Sequence, residues 1–301
     1  MKVQVLGSGA GGPFQGRHFT AHVVEVENYR YLIDCGEGTQ MQLYRYRIGI
    51  DRCDEFFITH LHGDHVFGLV GLLTSFSLKQ RTRPLTLYAP PGLHALITDT
   101  FKACGVLTPY ELRIVEVDAS KHQLVFENKL IEVWSIPLNH RTACCGWLFR
   151  EKLRPRNMIK EKIEEYGIPY TQMPDIKAGA DFILPDGTCI PNTEITSDPP
   201  APRSFAFCSD TAYSDEVVVC VKGVDLLYHE ATFTNEHQRE AEIAFHTTAA
   251  QAASVASQAG VGKLLMGHFS GRYKDLDQHL KEARSVFPES HCVEEGVVYE
   301  V

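Results

Sequence analysis

Six residues, His60-Leu61-His62-Gly63-Asp64-His65, follow directly on the apolar run Phe56-Phe57-Ile58-Thr59. A short run of aromatic and branched residues is the pattern of a buried strand, and it stops where the histidines begin. Three imidazoles and a carboxylate at this spacing repel one another when the rings are charged, whereas neutral imidazole is a common transition-metal ligand. On a loop leaving a strand end, alternate side chains can turn toward one cation and the last two toward another, with Gly63 easing the backbone at the bend. A solvated polar loop is the ordinary alternative, and it explains the spacing poorly.

A pair of metal ions needs more donors than one loop offers, and the same arrangement recurs. His140 follows the apolar run 131–136 and the link Pro137-Leu138-Asn139. Asp210 follows Ser204-Phe205-Ala206-Phe207-Cys208-Ser209, and His268 follows Lys263-Leu264-Leu265-Met266-Gly267. Each metal-competent side chain lies just past a predicted strand, so distant segments can converge on one sheet edge. Taken singly, His140 or His268 reads as an ordinary histidine; the recurrence carries the argument.

The rest of the chain alternates in the same way. Residues 2–6 read as a strand running into the turn-rich Gly7-Ser8-Gly9-Ala10-Gly11-Gly12-Pro13, and 21–26 with 29–33 as a hairpin closing at Asp34-Cys35-Gly36-Glu37-Gly38. Helical spacing over 66–78, a strand at 85–89 and a helix opened by Pro90-Pro91-Gly92 and running to about 103 follow. A strand at 225–228 and a helix over 248–259 closed by Gly260 complete the pattern, which is that of an α/β protein. The stretch 150–203 breaks the alternation: it is rich in proline, holds one short charged helix at 157–166, and has a hairpin signal at Pro185-Asp186-Gly187. We read 1–301 as a single domain, with 150–203 as an arm inserted into it.

At 301 residues, with 44% hydrophobic and 22% charged side chains, the chain can bury a large core. Its apolar runs are far shorter than a membrane span, and Met1-Lys2-Val3-Gln4-Val5-Leu6 meets glycine before a signal-like segment builds. A cytoplasmic protein without membrane contact is expected. Nine cysteines, an odd number with no Cys-x-x-Cys pair and several in apolar runs (Cys35, Cys208, Cys220), are expected to be buried thiols rather than a disulfide framework. The net charge of −9, from 29 basic against 38 acidic residues, opposes contact with a phosphate backbone unless basic residues are gathered locally. Sources for such a patch are Arg45, Arg47 and Arg52, then Lys79, Arg81 and Arg83, and the arm, where 150–177 holds seven basic and five acidic residues.

The loop His60-x-His62-x-Asp64-His65 resembles the signature of the metallo-β-lactamase superfamily, and His140, Asp210 and His268 match its remaining ligand positions in order. The resemblance implies an αβ/βα four-layer sandwich with two metal ions at one edge, Zn2+ in the first place and Mn2+ as the alternative. It implies His60, His62 and His140 on one ion, Asp64, His65 and His268 on the other, and Asp210 between them. A bridging carboxylate suits two dications about 3.5–4 Å apart. Further segments are similar to the ribonuclease Z family: Leu6-Gly7-Ser8-Gly9 through Pro13 and Arg17, then Asp34-Cys35-Gly36-Glu37-Gly38-Thr39-Gln40. The match continues in His229-Glu230-Ala231-Thr232-Phe233, His246-Thr247-Thr248-Ala249 and Gly267-His268-Phe269-Ser270-Gly271-Arg272-Tyr273. It covers nearly the whole chain, and these late segments are more specific than the histidine loop.

That family implies a zinc-dependent endoribonuclease that removes the 3′ trailer of precursor tRNA, leaves a 3′-hydroxyl, works as a homodimer and grips tRNA with its arm. The residues allow the chemistry. A zinc-bound hydroxide can attack phosphorus, and Asp64 can accept a hydrogen bond from it while binding metal. The departing ribose 3′-oxygen needs a proton, for which His246, oriented by Glu230, is the candidate. The plainer readings are a helix-entry histidine for His246 and a surface carboxylate for Glu230. Arg272 and Tyr273 can meet phosphate and base, and Lys177 belongs to the Lys177-Ala178-Gly179 end of the tRNA-gripping segment. There the chain departs from the family's Gly-Pro pattern, carrying Tyr170-Thr171-Gln172-Met173-Pro174-Asp175-Ile176-Lys177. The competing classes are a metallo-β-lactamase-fold hydrolase of small phosphodiesters or thioesters, which needs no arm, and a metal-binding scaffold, which needs no His246.

Overall fold

Side chains of a strand point alternately to its two faces, and in Cys53–Phe57 both directions end in aromatic residues. In the computed structural model, which describes residues 1–49 and 52–301, Phe56 turns to Phe76 of the helix Gly68–Leu78, with ring centroids 6.3 Å apart. Phe57 turns the other way, to Trp147 and Phe149 at 5.3 and 5.4 Å. One strand thus has a helix on one face and a second sheet on the other, and its neighbours repeat the division.

The first sheet has the order Val298–Glu300, Lys2–Gly7, Ala21–Val26, Tyr29–Ile33, Cys53–Phe57, Leu85–Ala89, Leu112–Glu116. The second has the order Ser290–Cys292, Lys263–Gly267, Leu226–Glu230, Ser204–Cys208, Cys145–Glu151, Ile131–Pro137, Leu124–Glu127. Strands from Tyr29–Ile33 to Leu112–Glu116 run parallel, as do those from Ser204–Cys208 to Ser290–Cys292. Parallel strands covered on both faces need no polar alternation, which is why 56–59 and 204–208 read as continuous apolar runs.

Between the sheets the filling is aromatic. Tyr31, Phe57 and Tyr88 of the first sheet meet Phe126 of the second at 6.0 to 6.1 Å, and burying a ring of this size contributes roughly 1.5–3 kcal/mol. Outside the first sheet, Leu43, Leu72, Phe76, Leu93 and Ile97 of the helices Thr39–Arg45, Gly68–Leu78 and Leu93–Cys104 join Leu32, Phe56 and Leu87 in one buried cluster. The second sheet is covered by Ala249–Ala259, which packs beside Asp215–Cys220 and Asp277–Val286. Helix, sheet, sheet, helix is the expected four-layer α/β sandwich. The helix expected over 248–259 starts one residue later, at Ala249, because Thr248 is its cap, Thr248 and Gln251 exchanging side-chain-to-backbone bonds at 2.9 and 3.3 Å. No helix among the described residues is long and apolar enough to cross a membrane.

Proximity along the backbone divides the chain into two compact units, one of 1–128, 132–150 and 203–301 and the other of 129–131 and 151–202. The second has a small core of its own, Ile168, Ile176, Phe182, Ile190 and Ile195. The hairpin Phe182–Ile183 with Cys189–Ile190 lies in it, and the Asn192 side chain donates to the Ile176 and Ala180 carbonyls at 2.6 and 2.7 Å. The helix expected over 157–166 is shorter, Lys160–Tyr166, because Asn157 and Met158 are extended and pair with Ser197 and Thr196. All nine cysteines are free thiols; six are buried as expected, while Cys104 and Cys189 are exposed and Cys292 is half-buried.

His22, in the strand Ala21–Val26, lies fully buried between Phe207 and Tyr228, with ring centroids 4.8 and 4.5 Å away. Burial, with repulsion from His65 and His268, lowers its pKa from 6.5 to about 3. The unfolded chain therefore takes a proton that the folded chain refuses, and stability falls as pH drops below the unfolded value, by about 1.4 kcal/mol per unit. In urea unfolding of the metal-free protein, His22→Leu should lose about 2 kcal/mol less than wild type between pH 7 and pH 5. Equal losses in the two proteins would show that another group sets the acid limit.

Candidate metal centre

The strands Tyr29–Ile33 and Cys53–Phe57 are parallel neighbours, so the segments leaving their C-terminal ends run together. The Cys35 amide donates to the His65 carbonyl at 2.8 Å, and the Gly68 amide to the Cys35 carbonyl at 2.9 Å. The approach is closer than a side chain allows. A Cβ on Gly36 would lie 2.3 Å from the Asp64 carbonyl oxygen, and one on Gly68 would lie 2.2 Å from the Gly36 carbonyl oxygen. These two glycines let the 34–38 segment press against the histidine loop and hold its bend. The helix expected over 66–78 is divided at the same place into Gly63–Val66 and Gly68–Leu78, where the Gly68 amide is given to Cys35.

His140, Asp210 and His268 follow the ends of Ile131–Pro137, Ser204–Cys208 and Lys263–Gly267, and they meet the histidine loop in two groups. In the first, His62 Nδ1 lies 3.0 Å from His60 Nε2 and 3.4 Å from His140 Nε2, while Asp210 Oδ2 lies 3.6 and 3.8 Å from those two nitrogens. In the second, His65 Nε2 and His268 Nε2 are 3.3 Å apart, Asp64 Oδ2 is 3.6 and 3.5 Å from them, and Asp210 Oδ1 is 3.3 and 3.2 Å from them. Asp210 faces one group with each oxygen. Four donors arranged tetrahedrally at zinc-ligand distances are about 3.3–3.4 Å from one another. The spacings scatter around that edge, so each group could hold a metal ion.

Except in His62, which turns Nδ1 inward, the far ring nitrogens are committed elsewhere. His65 Nδ1 faces Asp34 Oδ2 at 2.8 Å, His268 Nδ1 faces Thr232 Oγ1 at 2.9 Å, His140 Nδ1 faces the Phe245 carbonyl at 3.0 Å, and His60 Nδ1 faces Thr59 Oγ1 at 3.1 Å. With Nδ1–H donated outward, the Nε2 lone pair points inward, as ligation requires. Asp34 and His268 hold left-handed backbone, φ 56° and 57°, without being glycine. Strain of that kind persists where the surroundings over-determine it, and it gathers at functional sites.

Burial alone would raise the Asp210 carboxyl, but His268, His65 and His60 around it hold it well below the usual carboxylate range. Burial also holds His60 and His140 below the ordinary histidine value, leaving neutral rings, the form that binds metal. His65 goes the other way: burial opposes its charge, and Asp210 and Asp34 outweigh burial. A cation arriving there displaces that proton.

The sequence reading assigned Asp34 no role, although it stands just past a strand end as Asp210 does; that shared position was the available signal. Its oxygens accept from the Thr59 amide at 2.8 Å and hydroxyl at 2.9 Å as well as facing His65. In Asp34→Asn one of these donors must confront an amide NH2, while the left-handed backbone remains allowed to asparagine. The substitution should weaken metal binding about 10- to 100-fold in a chelator competition. Wild-type affinity would mean that the Asp34 carboxylate does not orient His65.

Glu230, ending the strand Leu226–Glu230, is fully buried and is no surface carboxylate. Its Oε1 accepts from the Thr211 amide at 3.0 Å and faces His246 Nδ1 at 2.8 Å; its Oε2 accepts from the Thr232 amide at 3.0 Å and hydroxyl at 2.7 Å. His246 lies between the helices Gln238–Ala244 and Ala249–Ala259, its ring 5.4 Å from those of both His140 and His268. Burial disfavours its charge, but Glu230 outweighs burial and raises its pKa to about 9. His246 also comes within ligand reach of Asp210 and His268. Glu230 thus favours the protonated ring, the form able to donate a proton.

The outer expected residues are dispersed. Arg272 is exposed, its guanidinium 5.0 Å over the Phe233 ring. The Tyr273 hydroxyl is engaged within the protein, accepting from the Thr234 amide at 3.1 Å and meeting His237 Nδ1 at 2.9 Å. Lys177 ends the helix Met173–Lys177 in the second unit and lines a cavity of about 650 Å³ with Arg154, Arg156 and Tyr170. Arg81 and Arg83 both pair with Asp54, which removes them from a phosphate-binding patch, whereas Arg47 and Lys79 line one cavity with Tyr44.

A family model described as Anti-Pycsar protein Apyc1 matches residues 1–135, a span that holds the histidine loop but stops before His140, Asp210 and His268. Along nearly its full length the chain resembles a ribonuclease Z of Parabacteroides distasonis, 41% identical over 295 residues, or 98% of this chain and 97% of that protein. Human tRNase Z, short form, has a TM-score of 0.71 at 25% identity, covering 100% of this chain and 99% of its own. The metallo-β-lactamase fold protein YhfI of Bacillus subtilis has a TM-score of 0.68 at 19% identity over 99% and 98% of the two chains, a likeness of fold. Identity at that level over almost the whole of both chains, on this fold, means that the chain belongs to the ribonuclease Z family, endoribonucleases with the metallo-β-lactamase fold.

Proposed function

We propose that the protein removes the 3′ trailer of precursor tRNA, cutting one phosphodiester so that the tRNA keeps its 3′-hydroxyl, with two Zn2+ ions per chain. The observation that carries this reading is the division of Asp210 between two histidine groups with the Glu230–His246 pair beside them. His60, His62 and His140 would hold one ion, Asp64, His65 and His268 the other, and Asp210 would serve both; Mn2+ also accepts such nitrogen and oxygen donors. When bound, the two dications supply a nucleophile at neutral pH by acidifying water, and positive charge for the phosphoryl oxygens.

The chain's own residues do the rest. Asp64 Oδ2 is engaged by the rings and the Gly11 amide, which leaves Oδ1 to accept the proton of the attacking water. Glu230 holds His246 through Nδ1, so the mobile proton sits on Nε2. As the P–O3′ bond breaks, that proton passes to the ribose oxygen, producing the 3′-hydroxyl. The second unit is the tRNA-gripping arm: Arg154 and Lys177 suit phosphates, and the exposed Tyr170 suits a stacked base. In the homodimer that family membership suggests, one subunit's arm serves the other's site, in the cytoplasm where precursor tRNA is found.

The test compares a precursor tRNA with bis(p-nitrophenyl) phosphate. Arg154→Ala with Lys177→Ala should raise KM for the precursor roughly tenfold or more and leave the small diester unaffected. A wild-type protein that turns over the small diester but leaves the precursor intact would place the activity among small phosphodiesterases.

A further inference from the structure

Between the strands Lys2–Gly7 and Ala21–Val26 the chain forms a loop whose tip and base are held by different parts of the molecule. At the tip, Gly11, with φ 65°, donates its amide to Asp64 Oδ2 at 2.8 Å, the oxygen that faces His65 and His268. At the base, the amides of Ser8 and Gly9 both reach the His18 carbonyl, at 3.1 and 2.9 Å. One carboxylate from near the other end of the chain closes that base. Glu295 Oε1 accepts from the Ser8 amide and hydroxyl, both at 3.1 Å, and from the His18 amide at 2.8 Å. Its Oε2 meets His18 Nδ1 at 2.6 Å and Gln42 Nε2 at 3.4 Å.

The clasp itself is anchored. Gly296 donates its amide to the Val5 carbonyl at 2.7 Å and accepts from Gln4 Nε2 at 2.9 Å, and the Glu295 side chain is only 13% exposed. Ser8 also reaches the second ligand-bearing segment, its carbonyl accepting from the Phe269 amide at 2.8 Å, next to His268. Donors left around a missing, half-buried carboxylate are costly, so the loop would reorganise rather than keep its shape.

We propose that Glu295 is a positioning residue for the Asp64 metal site, fixing the 8–18 loop so that the Gly11 amide holds Asp64 Oδ2 in register with His65 and His268. This rests on the reading that Asp64 binds a cation. Among the described residues no hydrogen bond joins the loop to His60, His62 or His140, so the effect falls on one ion of the two.

The test is zinc titration of the metal-free protein against a chromogenic chelator. Wild type should take up two ions; Glu295→Ala should keep the first and bind the second about 10- to 100-fold more weakly, with faster amide exchange at Gly11. Glu295→Gln, whose carbonyl still accepts from Ser8 and His18, should stay within about threefold of wild type. The zinc concentration for half-maximal activity should rise in Glu295→Ala while kcat at saturating zinc changes little. Unchanged affinities, or equal weakening of both ions, would overturn the proposal. Should Glu295→Ala not fold, Gly11→Val reads the same contact, because its added Cβ meets open space and only the left-handed backbone becomes costly. Weaker second-ion binding supports the inference there, and wild-type affinity overturns it. A wild type that binds fewer than two ions would instead defeat the metal-pair reading, and this inference with it.

Discussion

Asp210→Ala is expected to slow precursor tRNA cleavage by at least about 10³-fold and to leave the purified protein with well under two ions per chain. Every other proposed ligand serves one group; Asp210 serves both, Oδ2 facing His60 and His140 at 3.6 and 3.8 Å and Oδ1 facing His65 and His268 at 3.3 and 3.2 Å. Two dications about 4 Å apart repel by roughly 15 kcal/mol even at an effective dielectric constant near 20. A carboxylate between them offsets much of that, and an alanine offsets none. Metal analysis by mass spectrometry, with single-turnover cleavage and circular dichroism to check the fold, measures the effect. A folded variant that keeps two ions would remove the bridging role.

His246→Ala is expected to lower kcat about 10²- to 10⁴-fold with metal content unchanged. Its Nδ1 faces Glu230 at 2.8 Å, and the role proposed for it is to supply a proton. The loss should be much smaller on a p-nitrophenyl diester, whose leaving oxygen needs no proton. The pH dependence has a definite sign. Glu230 raises the ring's pKa to about 9 in the metal-free protein, and nearby dications bring it down from there, so the acid form is lost as pH rises. Cleavage should fall on the alkaline side at or below about pH 9, that limb should vanish in His246→Ala, and Glu230→Gln should move it to lower pH. If His246→Ala strips the ions instead, His246 is a ligand and the proton comes from elsewhere.

Much of the sandwich was legible because its strands are apolar on both faces. The run 56–59 could be read as buried without knowing what covered it, and the strands at 204–208 and 263–267 followed the same rule. The seven clustered side chains were legible for a related reason: they stand in segments just beyond the ends of predicted strands. Helix limits were harder. Asn157 and Met158 have no local bias against a helix, and they are extended because Ser197 and Thr196, some forty residues on, offer them strand partners.

The basic residues show the same division. Arg81 and Arg83 count toward a phosphate-binding surface in the sequence, yet both face Asp54, a pairing made only when Cys53–Phe57 lies beside Leu85–Ala89. Thr232 and Glu295 carry ordinary residue types in ordinary places, and nothing in spacing or periodicity marks them.

What the sequence determined by itself was most of the central strands, the α/β class and the identity of the side chains able to bind metal, because burial pattern and donor chemistry belong to short stretches of chain. The tertiary structure alone decided how those donors divide into two groups around Asp210, which ring nitrogen faces inward, and that Glu230 raises the pKa of His246. Those properties depend on distances of a few ångströms between residues far apart in the chain, and on desolvation that exists only once the two sheets close over one another.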